Sequence, residues 1–402
     1  MTPTPNLKSR LLFIAFLSFI AIGLQGGALG VAWLYMQDTF GVTLESLGVL
    51  LTTFTLGSLG VSFYSGSIVG RIGVGMFCTV SAVVGLIGLV WTALTPTWTG
   101  LILAALLLGL GRSGINAGIN TFIADAYPSS RMNWLHALFG VGSSLGPLLV
   151  TLLVAQWGQP WQLSYWVLAG VQVVVLSLFA ATLPHWQLTP APVSDSEPSG
   201  GPSMRSSLRL LPLWLGVVLF VSHTGLQSGA GQLTNNLFVE GRGVDPKIAG
   251  VWISLFWVFI TLGRILFGAL VDCIGTARLL RYVTFGTVIG ALLLWWSPVD
   301  AVGFFGLGLM GFTLAPVFPS SVSRTPTLVG AYHSPNAIGV QMAGAALGGA
   351  LVPGVIGYVG DNLGLNLIPP CLVAVALAQF VIHEFITREE RGRPVAALQA
   401  TD

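Results

Sequence analysis

Twelve separate runs of about 20 apolar residues are too many for one soluble core, and each is long enough to cross about 30 Å of hydrocarbon as a helix. They lie over 11–36, 46–70, 74–95, 98–123, 133–157, 162–183, 211–238, 247–271, 279–297, 300–323, 335–359 and 364–386, punctuated by Gly, Pro and polar residues. A transmembrane barrel would show shorter, alternating segments. The expected fold class is therefore all-α integral membrane, with twelve transmembrane helices. Composition agrees, because 54% hydrophobic and 7% charged residues cannot clothe a soluble enzyme. Sixteen Lys and Arg against 14 Asp and Glu leave no broad cationic face, so nucleic acid is excluded as a partner. Cys78, Cys273 and Cys371 are far apart and lack histidines at ligand spacing, which points to neither a disulfide framework nor a metal site.

Orientation follows from the basic residues. Lys8, Arg10, Arg71, Arg131, Arg205, Arg209, Arg278, Arg281, Arg324, Arg388, Arg391 and Arg393 fall on the side shared by both termini, and only Arg242 and Lys247 on the other. The positive-inside rule then predicts cytoplasmic termini in a multi-pass protein of a bacterial inner membrane. The first run follows Lys8 and Arg10 as a signal peptide would, but it is long and eleven more follow, so it reads as a retained helix.

The Pro-, Ser- and Gly-rich stretch at the middle reads as a flexible cytoplasmic linker over 184–209, dividing a six-helix bundle over 1–183 from a second over 210–402 with a short cytoplasmic tail. The two halves repeat at an offset of 202 residues: GLQGGA at Gly23 as GLQSGA at Gly225, GVTLESLGV at Gly41 as GVDPKIAGV at Gly243, GSIVGRIG at Gly66 as GALVDCIG at Gly268, and GSSLG at Gly142 as GAALG at Gly344. Any one of these is within chance for Gly-rich apolar helices, but four at one offset are not. Two six-helix repeats of like orientation predict pseudo-symmetric bundles with a binding site between them near mid-bilayer, worked by alternating access.

GALVDCIG followed by Thr276, Ala277 and Arg278 resembles the loop signature of the major facilitator superfamily, and the resemblance covers the whole chain. The first copy departs from it, with Gly70 where an acid is expected. Gating or structural roles are implied for Arg71, Arg264, Asp272 and Arg278. The segments NWLHALFGVGSSLGPLL from Asn133, VEGRG from Val239 and NAIGVQMAGAALGGALVP from Asn336 are similar to bacterial proteins grouped with fucose permease, a sugar:proton symporter. That likeness implies sugar transport and symport, and a cavity lined by the first, fourth, seventh and tenth helices.

Polar side chains inside the spans are candidate site residues, because each costs free energy unless it is paired or faces a wet cavity. Gln25 and Gln227 are repeat equivalents near mid-span and lead the candidates; interhelical bonding is the structural alternative. Arg112, Asn116 and Asn120 recur every four residues and share one helix face. Gln232, Asn235 and Gln341 are further amide candidates, and Trp33 and Trp257 are aromatic surfaces for a sugar ring. Arg112 and Arg264 are the basic residues well inside spans, where an Arg costs about 2.5–3.5 kcal/mol and no acid stands near. A bound anion and a structural role are both open for each.

Amides at the plausible coupling positions cannot titrate, so His223 is the coupling candidate, and a coupling proton, a sodium ion or uniport remain open. No cofactor and no obligatory protein partner are indicated; the expected partners are a small polar solute and the lipid bilayer. GLGRSG at Gly109 matches a dinucleotide fingerprint only as a string, since it sits inside an apolar helix with no preceding strand. GRSG at Gly111 also matches the GxSG of intramembrane serine proteases, which is the rival class to a non-enzyme. The reading is a secondary transporter, with a sugar as the leading cargo, a small organic or inorganic anion held by Arg112 and Arg264 as the alternative, and drug or metabolite export as a third, since GSSLGP resembles an exporter signature.

Overall fold

The computed structural model describes residues 5–187, 204–330 and 332–392, apart from the side chains of Pro5, Asn6, Ser129, Ser130, Asn133, Asp272 and Arg391. Most of the expected linker lies outside the described residues. Within them the chain is helical, with no strand. The helices are α1 Pro5–Phe40, α2 Ser46–Leu94, α3 Trp98–Ala126, α4 Ser129–Val150, α5 Gln162–Thr182, α6 Met204–Ser207 and α7 Leu211–Asn236. They continue with α8 Pro246–Ile274, α9 Thr276–Trp296, α10 Asp300–Leu314, α11 Val317–Val329, α12 Ser334–Leu363 and α13 Ile368–Gly392. Both α4 and α7 run on into a π turn, Thr151–Gln156 and Leu237–Gly241.

Eleven helical stretches among the described residues are apolar and long enough to cross a membrane. One of them supplies two crossings. At 49 residues, α2 would be about 74 Å long if straight, more than twice a hydrocarbon core. Gly73, at φ 78° and ψ 161°, breaks it. Gly57 of the first arm abuts Leu106 of α3, and Gly88 of the second abuts Leu108, so the chain doubles back at Gly73 and both arms flank one helix. These arms are the second and third expected spans. The tenth is also interrupted: α10 and α11 have 15 and 13 residues and complete one crossing over Asp300–Val329 only together.

The chain forms two units. The first comprises Met1–Ala191 and Gly231–Val258, the second Pro192–Ala230 and Phe259–Asp402. Residues Gly231–Val258, expected with the second bundle, join the first unit because their backbones seat on it. Gly30 of α1 abuts the Gly231 carbonyl, Gly250 abuts Thr151, and Ser254 Oγ donates to the carbonyl of Ser144.

Between helices in lipid there is no hydrophobic driving force, so small residues that let backbones touch decide the packing. In the first unit Gly23 and Gly27 of α1 face Phe139 and Ser143 of α4, while Gly142 and Gly146 of α4 face Ile20 and Leu24 of α1. The repeat does the same job in the second unit, where Gly344 and Gly348 of α12 meet Val217 and Val221 of α7. The duplication also extends to backbone conformation: Gly41 and Gly243 turn at φ 61° and 70°, Gly73 and Gly275 at φ 78° and 82°. Around the α1–α4 contact, Phe19, Phe77, Ile119, Phe122 and Phe179 form a buried apolar cluster. In the second unit Arg281 holds Glu384 through two contacts of 2.6 Å, and Arg324 pairs with Glu390. These pairs tie α9 and α11 to α13.

Gly73→Ala should lower stability by about 1–3 kcal/mol, the cost of a side chain in so restricted a backbone region. Gly70→Ala, with open space around it and an ordinary helical φ, should leave the thermal midpoint in detergent unchanged or slightly raised. Equal midpoints for the two variants would refute the reversal at Gly73.

Candidate functional site

Arg112 sits at the middle of α3, fourteen residues from Trp98 and from Ala126. Three helices shape its surroundings. Its guanidinium lies 5.5 Å from the ring centroids of both Phe54 in α2 and Phe139 in α4. Gly26 of α1 lets it approach, since a Cβ there would stand 3.1 Å from Nη1. Among the described residues it has no hydrogen bond and no carboxylate partner. The two cation–π contacts offset about 0.5–2 kcal/mol each against about 2.5–3.5 kcal/mol for an Arg at mid-membrane, but they supply no negative charge. The charge is left without a counter-ion.

Opposite it runs a chain of amides. Gln172 of α5, 1% exposed, donates from Nε2 to the Ala82 carbonyl at 3.1 Å and accepts at Oε1 from Gln25 Nε2 at 3.2 Å. A backbone carbonyl can only accept, so the Ala82 oxygen dictates which way Gln172 turns, and Gln172 in turn dictates Gln25. The Gln25 oxygen is left over, without a hydrogen bond.

Gln25, Arg112 and Gln232 line one cavity of about 100 Å³ inside the first unit. Thr92 and Tyr165 add hydroxyls to its wall, and Leu50, Phe54, Leu101 and Leu108 are among its apolar faces. The Thr92 hydroxyl is spent on the Gly88 carbonyl at 2.8 Å, and the Tyr165 hydroxyl lies 3.8 Å from Met36 Sδ. Gln232, 7% exposed, makes no hydrogen bond. The cavity is roomy enough for several waters or a small solute, and its polar groups converge from several helices.

Other expected site residues lie elsewhere. Trp33 is fully buried against Trp98, ring centroids 6.1 Å apart, and offers no face to a sugar in this arrangement. Asn120 donates to the Asn116 carbonyl at 2.8 Å, and Asn116 is exposed, so the polar face of α3 continues past the cavity. Asn235 is buried with its Oδ1 unpartnered, and Trp257 is buried edge-on to Phe256. In the second unit Gln341 accepts from Thr325 Oγ1 at 2.8 Å, Gln227 is half-buried, and His223 is buried beside Phe318 with Nδ1 unpartnered. Arg264 is half-buried there too, while the Asp272 side chain lies outside the described ones, and Arg71 and Arg278 are exposed. Ser113, the serine of the GxSG string, is bonded to Ser62 Oγ at 2.8 Å and to the Ser58 carbonyl at 2.9 Å, an interhelical clasp between α3 and α2.

Gln172 escaped the sequence reading. Its signal was a single amide at the centre of an otherwise apolar span, SYWVLAGVQVVVLSLF.

A family model described as Major Facilitator Superfamily matches residues 11–353. Curated relatives include the fosmidomycin resistance protein of Escherichia coli (strain K12), 24% identical over 83% of this chain and 82% of that one. The glucose/mannose transporter GlcP of Bacillus subtilis (strain 168) is 21% identical over 85% of each, and the nitrite extrusion protein of the same organism 25% over 90% of each. Among solved structures, the nucleoside transporter NupG superposes with a TM-score of 0.75 at 16% identity, covering 96% of this chain and 100% of that one. The transporter FucP in its outward conformation gives 0.64 at 17%, covering 94% and 98%. At these identities the structures establish the fold, and the expected family and fold class are borne out.

Gln172→Leu would leave the Ala82 carbonyl and Gln25 Nε2 short of a partner. It should lower stability by about 1–3 kcal/mol, read as a fall in the thermal midpoint in detergent without solute. No change would mean that the amide chain carries no structural weight.

Proposed function

We propose, from the premise that the chain belongs to the major facilitator superfamily and is a secondary transporter, that its cargo is a small solute bearing an anionic group held by Arg112. The carrying observation is the guanidinium at mid-span, lining a cavity with no acid among the described residues to neutralise it. A planar fork of donors suits a carboxylate or oxyanion, and desolvation strengthens the attraction. The nitrite named for one relative is an anion of this kind, which supports the reading without fixing the cargo. Arg264 belongs to the second unit and is not needed for it. The asymmetry of Lys and Arg between the two sides supports termini in the cytoplasm.

A neutral sugar is the second reading. The amides Gln25 and Gln232 on the same wall favour it, as does the glucose/mannose relative. It ranks second because hydroxyls alone leave the Arg112 charge unmatched.

Purified protein in detergent, unfolded thermally against a panel of small carboxylates, inorganic oxyanions and monosaccharides, separates the two. A ligand that binds only the native state raises its stability, by about 2.7 kcal/mol at a hundred times Kd. The expected result is stabilisation by one or more anions that disappears in Arg112→Gln and is partly kept in Arg112→Lys. Stabilisation by a sugar that survives Arg112→Gln, with no response to anions, would overturn the anion reading.

A further inference from the structure

The polarity of the amide chain says more about the solute than its charge. Resting on the anion reading above, we infer that the solute carries a hydrogen-bond donor beside its anionic group, as a hydroxy acid does, and that Gln25 Oε1 is the acceptor that selects for it. The reasoning needs no choice of amide rotamer. The Ala82 carbonyl accepts from Gln172 Nε2, which turns Gln172 Oε1 toward Gln25 Nε2 and leaves the Gln25 oxygen as the spare group of a side chain that lines the cavity. That oxygen has no donor among the described residues.

The guanidinium lies close by, against Gly26, the next residue of α1. The pocket therefore combines a cation with donors and, on the same wall, an acceptor. A bare carboxylate matches the first and leaves the second unpaired. A solute with a hydroxyl or amine next to its carboxylate matches both. Gln25 is half-buried, and an acceptor that a bound solute covers without matching is what lets a polar site reject an analogue lacking the donor. Gln227, the repeat equivalent of Gln25, has no such committed polarity, because it makes no hydrogen bond.

Three probes share a carboxylate and bracket the size: acetate, glycolate with one hydroxyl donor, and methoxyacetate with that hydroxyl capped by a methyl group. Thermal unfolding of the intact chain in detergent should show glycolate acting at a concentration at least tenfold lower than either of the others. Arg112→Gln should remove the response to all three. Gln25→Met should abolish the discrimination, so that glycolate and acetate act at the same concentration. Gln172→Leu, which does not touch the cavity wall, should do the same by releasing the Gln25 amide to turn, and it serves if Gln25→Met does not fold. If the wild-type protein treats the three acids alike while Arg112→Gln still abolishes binding, the donor requirement falls and the anion reading stands. Discrimination that survives both glutamine substitutions also overturns the role of Gln25. If no acid binds in an Arg112-dependent way, the anion reading falls and takes this inference with it.

Discussion

Hydrocarbon gives polar groups nothing to bond to, and every feature of this molecule that bears on function follows from that constraint. A helix satisfies its own backbone, so helices are what the chain is made of. What the bilayer does not supply is a reason for helices to adhere. Glycines at the α1–α4 and α7–α12 crossings supply it, by letting carbonyls and Cα atoms come into contact over two turns. Serine and threonine hydroxyls return their hydrogen bonds to the preceding helical turn, as Ser18 does to Ile14 and Thr92 to Gly88, and so cost little. The polar groups that do not settle themselves in this way are few, and they are the informative ones.

Arg112 and Gln25 are the clearest of these. Both stand near mid-membrane on facing helices, one with a charge unmatched and one with an acceptor unmatched, and they open on the same cavity. Neighbours that could relieve them are instead arranged to hold them in place. Phe54 and Phe139 flank the guanidinium without neutralising it, and Gln172 spends its whole amide on orienting Gln25. Preorganisation of this kind would reduce what the proposed solute spends in ordering the site.

Much of this was legible beforehand because it depends on local chemistry. Span lengths follow from the thickness of hydrocarbon, and the two glycine pairs at offset 202 were visible as strings before their shared positive φ was. Arg112 and Gln25 were singled out because polar residues are conspicuous in apolar runs. What the sequence did not carry was the third dimension. Trp33 shares a helix with Gln25, yet it is fully buried, with Trp98 among its neighbours, and nothing in the spacing distinguishes a ring facing a cavity from one facing a neighbour. Gln172 was overlooked because its meaning lies in partners 90 and 147 residues away. The assignment of Gly231–Val258 to the first unit is likewise a matter of which backbones touch.

The duplication sharpens the functional argument because it is incomplete. Shifting the site by 202 residues carries Gln25 onto Gln227 but Gln172 onto Ala374, Arg112 onto Leu314 and Ala82 onto Thr284. The glycine contacts and the glycine turns exist twice, whereas the charge and the chain of amides on the same cavity exist once. A residue kept in both copies answers a demand that both copies meet, and for these glycines the demand is helix packing. Residues present in a single copy answer something that packing does not require. The cavity around Arg112 is thus where helix packing stops explaining the sequence, which is why the proposed solute site is placed there.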